Sequence, residues 1–157
     1  MSLESVQAWL AAHAPDLRLI EVAESTATVV EAARALGVEP SRIAKTLAIR
    51  AGGEAFLLVT AGDARLDNAK SKAAFGGRPR MLGAEETLAL TGHAVGGVCP
   101  FGLAAPLPVY CDLSLRAFDI VYPAAGSLNS SVEVAPARLA ELVKARWVDV
   151  CRTPTEE

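Results

Sequence analysis

Residues 43–60 constrain the fold more than any other stretch. Over residues 43–50 the side chains alternate, so that Ile43, Lys45, Leu47 and Ile49 share one face of an extended strand while Ala44, Thr46, Ala48 and Arg50 share the other. Gly52 and Gly53 then supply a turn, and residues 55–60 a second apolar strand, which together predict a β-hairpin. The alternation puts Lys45 on the larger apolar face. A lysine in that position sits at the strand's end and reaches solvent along its own stem, finds an anion, or shifts its pKa.

Helical signals surround this hairpin. Leu3, Val6, Leu10 and His13 recur at helical spacing behind Ser2, a residue able to cap the first turn. Residues 17–22 read as a short strand, and Thr28 with Glu31 forms a capping box for a helix ending at Gly37. Asp67 can cap a short basic helix that stops near Gly76 and Gly77, and residues 84–90 predict another helix with Glu85 and Glu86 in its first turn. From Gly92 onward the chain is rich in short strands and turns, until Pro136 opens a last helix over 137–145 and residues 147–151 close with a strand. Helices early and strands late, without regular β-α alternation, predict an α+β domain with a mixed or largely antiparallel sheet.

Composition narrows the function classes. With 157 residues, 52% of them hydrophobic, the chain can bury one core and is read as a single domain over 1–157. A charged fraction of 21% excludes a disordered chain, and no apolar run approaches the roughly 18 residues of a membrane span. The N-terminus lacks the pattern of a signal peptide, which leads us to expect a cytoplasmic protein without a membrane partner. Cys99, Cys111 and Cys151 include no CxxC pair, and His13 and His93 lie far apart. Neither a disulfide framework nor a metal site is indicated, and no cofactor is expected. The net charge is −3, yet Arg65, Lys70, Lys72, Arg78 and Arg80 stand against Asp67 alone, a local +4 that leaves −7 for the rest. That segment is either a solvated surface or a phosphate contact.

Two loops could carry chemistry. Residues 92–102, GHAVGGVCPFG, combine four glycines with a proline, which lets main chain approach a ligand closely; the alternative is a purely structural turn. Within it, Cys99 and His93 could act as nucleophile and base, or as a buried small hydrophobe and a hydrogen-bonded turn histidine. Residues 124–131, AAGSLNSS, could line a pocket or form an ordinary turn.

Taken together, RIAKTL at 42–47, the Gly62–Asp63 turn with Arg65, Leu66 and Asp67, the GHAVGGVCPFG run and AAGSLNSSVEVAPARL resemble the YbaK/ProX family over about residues 24–151. Members of that family hydrolyse mischarged aminoacyl-tRNA, and the same domain occurs inserted in bacterial prolyl-tRNA synthetases. The resemblance implies a curved mixed sheet, partly closed into a barrel and surrounded by helices. It places the family's essential lysine on Lys45 and its GxxxGG turn on Gly92, Gly96 and Gly97, followed by Val98. Thr46, His93 and Cys99 are further candidates for contact with substrate, and Gly126, Ser127 and Asn129 for the facing wall. Many relatives carry a more glycine- or arginine-rich second loop, so Ser127, Leu128 and Asn129 are a departure.

The activity so implied is deacylation of tRNA-Pro carrying alanine, cysteine, serine, threonine or 2-aminobutyrate, by positioning a water that the ribose 2'-hydroxyl assists. Arg65, Lys70, Lys72, Arg78 and Arg80 are the candidates for contact with tRNA, and prolyl-tRNA synthetase is the protein partner the resemblance brings into view. The alternatives are a non-catalytic module that uses the same pocket to bind tRNA or the synthetase, and a thiol hydrolase using Cys99 and His93. The sequence leaves oligomeric state open.

Overall fold

The computed structural model describes residues 2–154. The first helix, α1 (Ser2–His13), buries Val6 and Leu10. The Ser2 hydroxyl, expected to cap this helix, instead bonds the His93 ring 2.5 Å away. After β1 (Arg18–Glu21) comes α2 (Val29–Leu36), whose expected signals are both present. Thr28 accepts a hydrogen bond from the Glu31 amide, and Gly37 ends the helix at φ 69°, where a side chain would be strained. A 3-10 turn, Pro40–Arg42, then feeds the hairpin.

The hairpin is formed by β2 (Ile43–Ala51) and β3 (Glu54–Ala61), antiparallel and in register from Ala44↔Ala61 to Ala51↔Glu54. It is followed by β4 (Arg65–Leu66), α3 (Asn68–Phe75) capped by Asp67, β5 (Arg80–Met81) and α4 (Ala84–Thr91). Residues 92–108, read in part as short strands, contain none: the segment is turns and bends throughout. The remaining elements are β6 (Val109–Asp112), the 3-10 turn Leu113–Ala117, β7 (Tyr122–Pro123), β8 (Ser130–Glu133), α5 (Pro136–Leu142), β9 (Arg146–Val148) and β10 (Cys151–Arg152). The last helix stops short of its expected end because Lys144 takes a positive φ of 55° and the Ala145 amide turns back to the Ala140 carbonyl. The expected closing strand is split in two. Between the halves, the Val150 amide donates to the buried Asp112 carboxylate, which draws the chain from one sheet to another.

The α+β class holds, with mixed pairing. The six-stranded sheet runs β5-β2-β3-β6-β9 with β7 also paired to β2, while β1-β8 and β10-β4 form separate antiparallel pairs. Within the large sheet, β2 is antiparallel to β3 and β5, whereas β2-β7, β3-β6 and β6-β9 are parallel. The expected barrel is not found among the described residues: no sheet closes on itself. Strands as short as β4, β5, β7 and β10, two residues each, cannot carry a ladder around a closed circuit.

Both faces of the hairpin are covered. Ala44, Ala48, Leu57 and Val59 join the main core with Val6 and Leu10 of α1, Cys111, Val132 and Leu139. Ile49, Phe56 and Leu58 pack on the other side against Val150 and Cys151, with Phe75 and Tyr110 closing an aromatic group around Phe56. A third cluster of Ala32, Ala33 and Ile43 seats α2 on the start of β2. No helix is long and apolar enough to cross a membrane among the described residues.

Candidate functional site

Strand β2 has a gap along one edge, and a pocket occupies it. On that side β7 pairs with Ile43 and Ala44, and β5 pairs with Ile49 and Arg50. The intervening residues open onto a cavity of about 320 Å³. Its walls are residues 43–48 of β2, Thr26 to Val29 at the start of α2, Met81 and Leu82 after β5, Thr87 of α4, Val95, Gly96 and Val98 of the glycine-rich loop, and Ala124.

Lys45 is part of this wall and is half-buried. As the alternation implied, it shares a face with Leu47 and Ile49. It reaches neither solvent alone nor a carboxylate: its Nζ donates to the Ala64 carbonyl at 2.6 Å and the Gly62 carbonyl at 3.2 Å. Only glycine allows this turn, since a Cβ on Gly62 would fall 2.2 Å from the Pro40 carbonyl oxygen. Burial lowers the Lys45 pKa from its ordinary value of 10.5, opposed by the nearby Cys151 and Asp63 and reinforced by Arg65. Two carbonyl partners fix the ammonium in place and leave its third N–H uncommitted by them.

The glycine-rich loop reaches the pocket through Gly96, at φ 100°, and Val98. Gly97 lies behind it, clasped to the second loop: the Gly126 amide donates to the Gly97 carbonyl at 3.0 Å. A Cβ on Gly97 would meet the Gly126 and Ser127 main chain at 2.9 Å. Gly92 caps α4. His93 is fully buried, with one ring nitrogen on Ser2 and the other 2.7 Å from the Phe101 carbonyl, and burial lowers its pKa. Cys99 is also fully buried, its Sγ 3.6 Å from the His93 ring, and burial pushes its thiol up to about 12. His93 and Cys99 therefore form a structural pair beneath the loop, outside the pocket wall.

The second loop contributes Ala124 to the wall, while Gly126, Ser127 and Asn129 brace it. Ser127 bonds Asn129 and Ser130, and the Asn129 amide group donates to the Val22 carbonyl at 3.0 Å. Leu128 lies over Gly96, close enough that a Cβ there would come within 2.7 Å of it. Of the basic residues, Arg65, Lys72, Arg78 and Arg80 are exposed, and Lys70 is paired with Asp149 at 3.1 Å. Arg80 directly precedes Met81, which brings the segment to the pocket's rim.

Thr26 to Val29, Met81, Leu82 and Thr87 do not stand out in the sequence. The Thr28 capping box is visible there, but it reads only as a helix start until the sheet sets that start beside β2. Among the described residues, no cluster of His, Cys, Asp or Glu could hold a metal ion.

Comparison with known proteins adds a second line of observation. The family model of the aminoacyl-tRNA editing domain matches residues 23–142. The uncharacterized protein YwhH of Bacillus subtilis (strain 168) is 47% identical over 154 residues, covering 97% of this chain and 98% of that protein. A proline--tRNA ligase of Bacillus licheniformis is 31% identical over 94 residues, 59% of this chain and only 16% of the ligase. The crystal structure of a protein proposed as a trans-editing enzyme for prolyl tRNA synthetase superposes with a TM-score of 0.88 at 35% identity, covering 96% of this chain and 97% of that one.

Proposed function

The chain belongs to the aminoacyl-tRNA editing domain family, and on that premise we propose that it is a trans-acting deacylase that clears small, wrongly attached amino acids from tRNA-Pro. The observation that carries the reading is the pocket on the open edge of β2, in whose wall Lys45 is the one ionisable residue among those described. Its volume of about 320 Å³ suits a small amino acid with part of the terminal ribose. The choice of tRNA-Pro draws support from the ligase and the proposed trans-editing protein that the chain resembles.

Lys45 supplies fixed positive charge where the ester carbonyl gains negative charge under attack, or holds the terminal ribose and phosphate. Among the described residues, no carboxylate or histidine lies in the wall to act as general base. The attacking water is therefore assisted by the substrate's own ribose 2'-hydroxyl, and catalysis comes from positioning. Gly96 and Val98 grip the aminoacyl and adenosine groups from one side and Ala124, braced by Gly126, Ser127 and Asn129, from the other. Ala27, Ala44, Ala48 and Val98 make the wall small and apolar, which favours alanine or 2-aminobutyrate. Discrimination by a missing methylene is only about 1–3 kcal/mol, so cysteine, serine and threonine belong in the same test. Lys72, Arg78 and Arg80 contact the acceptor stem.

The test is deacylation of alanyl-, 2-aminobutyryl-, cysteinyl-, seryl- and threonyl-tRNA-Pro by the wild type and Lys45→Ala. Release of one amino acid, slowed roughly 100- to 1,000-fold in the variant, is the expected result, the size being that of removing one fixed electrostatic stabiliser. Binding of tRNA without release from any of the five would assign a non-catalytic module.

A further inference from the structure

The gap in β2 has a chemistry of its own. The Ala48 carbonyl accepts from the Leu82 amide at 2.9 Å, so it points away from β3 and toward the β5 side. Main-chain groups alternate between the two edges of a strand. The Thr46 N–H and C=O therefore point the same way as those of Ala48, into the space where neither β5 nor β7 is paired. Thr46 meets Val59 of β3 on its other side, at a position where their main chains do not exchange hydrogen bonds. The Thr46 hydroxyl is also buried without a hydrogen-bond partner among the described residues. An open donor and an open acceptor on one strand residue are a template for a complementary main chain.

From this we propose that the aminoacyl group binds as the missing residue of the sheet edge, a reading that rests on the deacylase function above and names how its substrate is held. An amino acid ester carries the two groups of a strand residue in the same spacing: a nitrogen donor on Cα and a carbonyl acceptor beside it. Its α-ammonium donates to the Thr46 carbonyl, and its ester carbonyl accepts from the Thr46 N–H. The second bond strengthens as the carbonyl oxygen gains charge, so Thr46 is a positioning residue through its main chain as well as a contact. A residue paired this way places its side chain on the face of its partner. Thr46 shares a face with Ala44 and Ala48, which line the pocket together with Leu82 and Val98, so the amino acid side chain enters this small apolar corner. The carboxyl and amino groups common to all amino acids are then read by main chain, and identity is read by the corner alone.

The experiment uses the wild type with alanyl-tRNA-Pro and propionyl-tRNA-Pro, the latter being alanine without its amino group, each rate divided by that ester's uncatalysed hydrolysis. Loss of a charge-assisted hydrogen bond predicts that the propionyl ester is accelerated about 10- to 100-fold less. A main-chain ester in place of the Lys45–Thr46 amide, which removes the Thr46 N–H without altering any side chain, should lower kcat more than it raises KM, at an unchanged thermal midpoint within a few degrees. Equal acceleration of the two substrates, or a main-chain ester variant as active as the wild type, overturns the proposal while leaving the deacylase intact. Absence of hydrolysis of any aminoacyl-tRNA overturns the deacylase reading and this one together.

Discussion

At the scale of single residues, chemistry and burial decide which polar groups can work. Lys45 and Cys99 both come from motifs that invite a catalytic role, yet their surroundings differ. Lys45 keeps its ammonium at a pocket wall, held by the carbonyls of Gly62 and Ala64. Cys99 is fully enclosed, and the thiolate that a nucleophile needs is suppressed by burial. Cys111 and Cys151 are buried as well, each with its thiol pushed up to about 12. The native protein should therefore resist iodoacetamide at neutral pH: intact mass is expected to show no adduct, full deacylase activity is retained, and three adducts form in denaturant. A native adduct on Cys99 accompanied by loss of activity would return the thiol to the site. The position of Lys45 on an apolar face was legible because a period of two needs only its immediate neighbours. The partners of its ammonium were not, since they come from a turn 17 to 19 residues further on.

Elements follow the same division between local and distant causes. The ends of α2 and α3 are written within a few residues, in Thr28 and Gly37 and in Asp67 and Gly76, and both helices form where those signals stand. The hairpin is equally local, set by alternation and a two-glycine turn. The strands missed or misjudged are those whose pairing depends on remote partners: β5 is two residues against the end of β2, and β9 and β10 part because Asp112 captures the Val150 amide. The pocket was only half legible for this reason, as its α2 and post-β5 walls meet β2 through that assembly. A prediction at this scale concerns α3. Asp67 accepts from the Lys70 amide at 2.9 Å and caps the start of α3, whose other anchors are Ser71 and, at the far end, Phe75 against Phe56 and Tyr110. Asp67→Ala should cost about 1 kcal/mol in urea unfolding, while leaving the rate on a saturating substrate close to that of the wild type. A loss below a few tenths would show that the contacts beyond the cap hold this helix.

Across the whole molecule the charge is unevenly placed. Net charge is −3, but the segment from Arg65 to Arg80 carries +4, so the remaining surface repels a polyanion that the segment attracts. Under the proposed function this asymmetry would orient tRNA more than strengthen its binding, because the basic segment ends at Arg80, next to Met81 on the pocket rim, and an acceptor stem drawn there would arrive with its 3' end at the gap in β2. Lys70 contributes less than its charge implies, being paired with Asp149, whereas Lys72, Arg78 and Arg80 are exposed. Every phosphate that a substitution leaves without its cation should reduce the slope of log K against log salt by about 0.7–0.9. Replacing Lys72, Arg78 and Arg80 with alanine should therefore flatten that slope by about 2–3 and raise KM steeply at low salt, with kcat little changed because no residue of the pocket wall is touched. An unaltered slope in the triple variant would move the tRNA to another face, and the route by which its 3' end reaches Lys45 and Thr46 would then have to run over the α2 side of the pocket.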